Sequence, residues 1–189
     1  MEKILVEISA RHIHLCQEHL DILFGKDYQL TKKKELSQPG QYAAEEKVIV
    51  RGPKSELKVT VLGPLRKHTQ LEISLTEARA LGVKALIRES GNIAGTTGIE
   101  IIGPNGSVTI EEGVIAAKRH IHMTPEDAKN YGVENGDLVS VKIETEERSL
   151  TFSDTVIRVS DKFALAMHID TDEANAAGFS GTTMGVLIK

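Results

Sequence analysis

One phrase occurs twice in this 189-residue chain: Arg11-His12-Ile13-His14-Leu15 returns as Arg119-His120-Ile121-His122-Met123, a little over half the chain later. In an extended strand the side chains at i and i+2 share a face, so each pair of histidines points one way. Two neutral imidazoles converging from one face are chelate chemistry. The segment after each pair repeats as well. Cys16-Gln17-Glu18-His19-Leu20-Asp21-Ile22-Leu23-Phe24-Gly25 and Thr124-Pro125-Glu126-Asp127-Ala128-Lys129-Asn130-Tyr131-Gly132 each carry a short helical pattern. In the second, Thr124 is an N-cap, Pro125 stands at N1, Asp127 lies at N3 of a capping box and Gly132 is the stop. Cys16 falls at the cap position of Thr124. A strand–turn–helix used twice favours two small domains over one large one.

Strand signals dominate the remainder. Val48-Ile49-Val50-Arg51, Leu57 to Leu62, Ile99 to Ile102, Ser107 to Ile110, Leu138 to Ile143 and Val156 to Val159 alternate or run β-branched between turn residues. Gly52-Pro53, Gly63-Pro64 and Gly103-Pro104 punctuate them, and Pro104-Asn105-Gly106 is a hairpin-type turn. Many short strands at close spacing predict small barrels or sandwiches. Helices are expected at about 17–24, 76–81, 125–131 and 171–177. Met1 to Ile8 reads as a strand, and Lys32-Lys33-Lys34, with Ser37-Gln38-Pro39-Gly40 after it, as a loop. Aromatics make up 4% and there is no Trp, so the cores must be built from Ile, Val, Leu and Ala.

The net charge of −4 supplies no basic footprint, and nucleic-acid binding is not expected. A single Cys excludes an intrachain disulfide and suits a reducing compartment. No apolar run approaches a membrane span, and acidic residues inside the first apolar stretch make it a poor signal peptide. The expectation is a cytoplasmic protein with no membrane partner.

Seven histidines are present, four of them in the duplicated pairs. His-x-His also arises as a polar face of an exposed strand; two copies in matching contexts favour metal ligation. Imidazole without a thiolate cluster suits zinc or another borderline divalent ion. His168, ending the run Phe163-Ala164-Leu165-Ala166-Met167-His168, is open between a structural residue and a third ligand. Glu72 shares its strand face with Gln70 and Ser74, so composition reads it as one member of a solvated face. His19 and His68 read as surface residues. Cys16 reads as a cap rather than a ligand or nucleophile, because an unactivated thiol is a small inert side chain. A basic group, Lys32, Lys33, Lys34, Arg51, Lys54, Arg66 and Lys67, interrupts the acidic composition. Arg66 lies six residues before Glu72, and a planar guanidinium grips phosphate oxygens in pairs.

Taken together, these segments resemble the PduL-type phosphate propanoyltransferase (phosphotransacylase) family. The resemblance rests on Ala10 to Leu15, Leu36 to Glu46, Val61 to Arg66, Thr69 to Ser74, Arg88-Glu89-Ser90-Gly91, Arg119 to Asp127 and Met167 to Asn175, in order along nearly the whole chain. It implies a mainly β fold: two small β-barrel domains, pseudo-duplicated, with a few short helices. The barrels would comprise residues 11–117, and residues 1–10 with 118–189. It also implies the reaction acyl-CoA + phosphate ⇌ acyl phosphate + CoA on propanoyl or acetyl groups; the mechanism expected here is direct attack by phosphate at a zinc site, with no acyl-enzyme.

By the same resemblance, one zinc takes His12, His14 and Glu72, with the CoA sulfur as a further ligand, and a second takes His120, His122 and His168. Arg66 would hold phosphate, and Asn175 falls near the coenzyme A site. A homodimer is implied. Cys16 departs from the family's usual Ser or Thr. Only ten residues precede Arg11, so no microcompartment-targeting extension is expected. The alternative activity is a zinc-dependent acyl-CoA thioesterase, with water in place of phosphate; a third reading makes the metals mere staples of small barrels.

Overall fold

The computed structural model describes residues 3–188; Met1 and Glu2 of the expected first strand lie outside the described residues. In chain order the elements begin with β1 (Lys3–Ile8), β2 (His12–His14), α1 (Gln17–Phe24), β3 (Lys32–Glu35), β4 (Tyr42–Arg51) and β5 (Glu56–Gly63). They continue with β6 (Gln70–Glu72), α2 (Leu75–Leu81), β7 (Leu86–Arg88), β8 (Thr97–Ile102) and β9 (Ser107–Ala117). The remainder are β10 (His120–Met123), α3 (Pro125–Tyr131), β11 (Leu138–Ile143), β12 (Leu150–Val159), β13 (Ala166–Ile169), α4 (Thr171–Ala177) and β14 (Thr182–Ile188). The fold is mainly β, as the spacing of short strands predicts. The chain forms two compact units: Arg11–Leu36 with Gly40–Ala117, and Met1–Ala10 with Ser37–Pro39 and Lys118–Lys189.

In the unit that begins at Arg11, β4–β5–β2–β6–β9–β8 close into a six-stranded barrel, because β8 pairs with both β4 and β9. In the other unit β1–β13–β10–β12–β11–β14 close in the same way. The pairings correspond strand for strand. The first histidine strand is parallel to β5 and antiparallel to β6; the second is parallel to β12 and antiparallel to β13. The last strand of one barrel, β9, runs parallel to β6; its counterpart beside β13 is β1, the first strand of the chain. The two barrels are therefore one design with its strand order circularly permuted.

Period-two alternation builds both cores. Val59 and Val61 of β5 are buried, as are Val139, Val141 and Ile143 of β11, while their neighbours are at least partly exposed. Ile13, Leu71, Val114 and Ile101 fill one core; Ile4, Val6, Ile121, Met167 and Val141 fill the other. Three helices carry a complete capping box: Ser74 with Glu77, Thr124 with Asp127, and Asp170 with Glu173. At α1 Cys16 holds the N-cap backbone position, but its side chain makes no capping bond. One expectation fails. Lys32 to Lys34 belong to β3, a fully exposed strand paired with β4, because edge pairing with a long neighbour orders a segment whose charged side chains have no core to enter.

Candidate active site and metal centre

Strand pairing creates the first cluster. His12, Ile13 and His14 face Glu72, Leu71 and Gln70 in antiparallel register. Alternation sends Ile13 and Leu71 into the core and leaves His12, His14, Gln70 and Glu72 on the opposite face. That face is buried all the same: His12 is 6% exposed, His14 2% and Glu72 7%. The solvated face that composition suggests for Glu72 is thus overturned. One ligand atom from each of His12, His14 and Glu72 lies within 4.8 Å of the other two, and Glu72 Oε2 is 3.4 Å from His12 Nε2.

The electrostatics fit a cation. Burial, then the neighbouring His12 and Arg66, lower the His14 imidazole to about 3, so it is neutral at physiological pH. Its Nδ1 is buried with no hydrogen-bond partner among the described residues. Burial alone would raise the Glu72 carboxyl, but the two histidines and the Ser90 hydroxyl outweigh it and hold the group well below the usual carboxylate range. Two imidazoles, one unpartnered at a buried nitrogen, and an ionised carboxylate form a donor set that zinc accepts.

The second cluster stands at the matching place in the other barrel. His120, Ile121 and His122 face His168, Met167 and Ala166. Ring centroids of His120 and His122 are 4.6 Å apart, those of His122 and His168 5.1 Å, and those of His120 and His168 5.4 Å. His120 Nδ1 lies 2.8 Å from the Lys118 carbonyl oxygen, which only accepts, so the ring carries its proton on Nδ1. Among the described residues, only the first cluster meets the mutual distance of 4.8 Å. Beside His168 sits Gln38, 3% exposed, whose Nε2 donates to the Ala164 carbonyl at 2.9 Å and whose Oε1 accepts from the Ala164 N–H at 3.2 Å.

The two copies share their supports. Arg11 donates to the Lys58 carbonyl and to Glu77; Arg119 donates to the Ser153 carbonyl and to Glu173. Glu77 and Glu173 are the N3 residues of the capping boxes that come after β6 and β13. The arginine of each repeated phrase thereby ties its histidine strand to the helix after the strand of the third candidate ligand.

Arg66 is partly buried and donates from Nη1 to Ser90 Oγ at 2.8 Å. Three other members of the basic group pair with carboxylates on the surface: Lys32 with Glu35, Lys33 with Glu45, and Arg51 with Glu56 and Glu100. Asn175 is exposed on α4. His68 is exposed, while His19 is only partly so, its Nδ1 2.8 Å from Thr69 Oγ1.

The phosphate propanoyltransferase family model matches residues 5–180, nearly all of this framework. The chain belongs to that family. Phosphate propanoyltransferases from Thermotoga maritima, Sebaldella termitidis and Listeria monocytogenes are 57%, 52% and 53% identical to it. These matches cover 92%, 100% and 97% of this chain and 83%, 89% and 86% of the relatives. As a phosphate propanoyltransferase family member the chain is an acyltransferase enzyme. No helix among the described residues is long and apolar enough to cross a membrane.

Within this family framework, the reading of the residues alone misses Gln70, Ser90 and Gln38. Gln70 and Ser90 bond Glu72 directly. Ser90 lies in Arg88-Glu89-Ser90-Gly91, eighteen residues from Glu72 in sequence, and only the fold joins the two.

Proposed function

We propose that this protein interconverts a short-chain acyl-CoA plus phosphate with the acyl phosphate plus CoA, acting on propanoyl or acetyl groups. The observation that carries the reading is the buried His12–His14–Glu72 triad with Arg66 one hydroxyl away, in a chain of the phosphate propanoyltransferase family. His12, His14 and Glu72 would hold one zinc, and His120, His122 and His168 a second. Zinc so held supplies Lewis-acid chemistry, polarising a carbonyl and easing the departure of a thiolate.

Phosphate is largely dianionic near neutral pH and attacks without a general base. Its oxygen bonds to the acyl carbonyl carbon, the carbon–sulfur bond breaks, and sulfur leaves with the electron pair as the CoA thiolate. Arg66 binds the phosphate and offsets repulsion as the tetrahedral oxyanion forms. The buried setting of His12 and His14 keeps both rings oriented and limits competing water. Asn175, exposed on α4, is the proposed contact to coenzyme A. The same reading places the enzyme in the cytoplasm as a homodimer.

The test is CoA release from acetyl-CoA and propanoyl-CoA, with and without inorganic phosphate, on protein of measured zinc content. Phosphate-dependent release with accumulating acyl phosphate is expected. Release that ignores phosphate would make the protein a thioesterase instead. No release from folded, zinc-loaded protein would overturn the reading.

A further inference from the structure

Ser90 lies between the candidate anion-binding residue and the candidate metal ligand, and its hydrogen bonds leave no ambiguity about which way it points. A serine hydroxyl has one proton to donate and two lone pairs to accept with. The Ser90 proton goes to Glu72 Oε1, at 2.7 Å. The two lone pairs take Arg66 Nη1 at 2.8 Å and Gln70 Nε2 at 2.9 Å. All three capacities are filled.

Gln70 closes the same circuit. Its second amide proton goes to Glu72 Oε1 at 2.6 Å, and its Oε1 accepts from the Gly91 N–H at 2.7 Å. Glu72 Oε1 therefore receives two hydrogen bonds, while Oε2 is the oxygen turned toward His12, 3.4 Å from Nε2. The carboxylate cannot rotate without breaking both bonds on Oε1. Its charge is divided by construction, one oxygen for the support and one for the metal side.

We infer that Ser90 is a positioning residue that sets the orientation of Glu72 and Arg66 together, so that a metal held by the first histidine cluster and a phosphate held by Arg66 keep a fixed spacing. This rests on the function proposed for the same site. Without the hydroxyl, Glu72 Oε1 keeps only the bond from Gln70, and the Arg66 guanidinium loses the neutral Ser90 acceptor. Outer partners of this kind typically contribute about 10- to 100-fold to metal affinity or activity.

The experiment compares full-length wild type with Ser90→Ala, Ser90→Cys and Ser90→Thr, with Glu72→Ala as the reference. Zinc affinity is measured by competition with a chromophoric chelator, and the class of zinc weakened in Glu72→Ala identifies the first cluster. Steady-state kinetics at saturating zinc then give the Michaelis constants for phosphate and for acyl-CoA. Ser90→Cys keeps the volume but hydrogen-bonds weakly, so it should match Ser90→Ala; Ser90→Thr keeps the hydroxyl and should recover toward wild type.

The expected result is a loss of about 10-fold or more in first-cluster zinc affinity and a comparable rise in phosphate KM, with acyl-CoA KM little changed. Wild-type zinc affinity and wild-type phosphate KM in Ser90→Cys, with Glu72→Ala impaired, would overturn the positioning role alone. If Glu72→Ala also binds zinc normally, the metal assignment itself has failed. Should Ser90→Ala fold poorly, the contrast between the Cys and Thr variants decides.

Discussion

Glu72 and His168 hold the same position in the two barrels: Glu72 is the register partner of His12, and His168 is the register partner of His120. Two residues after each comes the N-cap of a capped helix, Ser74 or Asp170. One duplicated frame thus carries a carboxylate in one copy and an imidazole in the other. A carboxylate would bring a negative charge to an ion at the first cluster, whereas three imidazoles at the second would leave more positive charge on a divalent ion bound there.

If the clusters are separate metal sites, their occupancies separate too. Glu72→Ala should lower zinc content from about two per chain to about one, and His168→Ala should do the same by way of the other cluster. Metal analysis after gel filtration, with circular dichroism as a control on folding, measures this. Loss of both ions in either variant would show that the two sites are not independent.

Arg66→Ala should raise the phosphate KM by about 10- to 100-fold, since a charge-assisted contact to an anion contributes about 1.5–3 kcal/mol. Acyl-CoA KM should move much less. Arg66→Lys should recover only part of the loss, because a point charge lacks the paired donor geometry. Initial rates with each substrate varied in turn decide it; an unchanged phosphate KM would remove Arg66 from the anion site.

Glu46 predicts a measurable pH dependence of stability. It stands on the inward side of β4, with Ala44 and Val48, and accepts hydrogen bonds from the Tyr28 hydroxyl at 2.8 Å and the Thr31 N–H at 3.0 Å. Burial would raise its carboxyl, but its own backbone N–H, Tyr28 and Thr31 outweigh burial and hold it below the ordinary 4.5. A depressed folded value adds stability that is fully present above about pH 4.5 and is lost as pH falls toward that lower value. Glu46→Gln should cost about 1–3 kcal/mol at pH 7 and flatten the acid limb below pH 4.5. Urea midpoints across pH 3–8 for both proteins test the sign.

Gly98 marks where the first barrel closes. A Cβ there would collide with the Ile110 and Glu111 carbonyl oxygens, at the irregularity in the β8–β9 pairing between Thr97 and Ile99. Because the obstruction is backbone, it cannot swing aside. Gly98→Ala should destabilise by about 1–3 kcal/mol or more, lowering Tm by several degrees. A Tm within one degree of wild type would show that the strands part without cost.

Much of this was legible in one dimension because its causes are local. The His-x-His pairs announce a shared face through strand periodicity alone, and the helices at Pro125 and Thr171 announce their starts through Thr124-x-x-Asp127 and Asp170-x-x-Glu173. The β-branched runs of β5 and β11 report their own burial by alternation.

The features that the sequence could not supply depend on which strands become neighbours. Glu72 reads as polar surface until β6 is laid against β2, when its register puts it opposite His12. Lys32 to Lys34 read as a loop until β4 offers an edge. Ser90 gains its role only when the β7 turn arrives beside Gln70 and Glu72, and no local periodicity encodes that meeting. Backbone propensity and side-chain alternation are properties of a segment, whereas a ligand set and its supports are properties of strand register. By itself the sequence determined the repeated His-x-His phrase, the strand-rich class and the helix starts; only the tertiary structure decided which carboxylate faced the histidines, because that choice is made by pairing across the closed sheet.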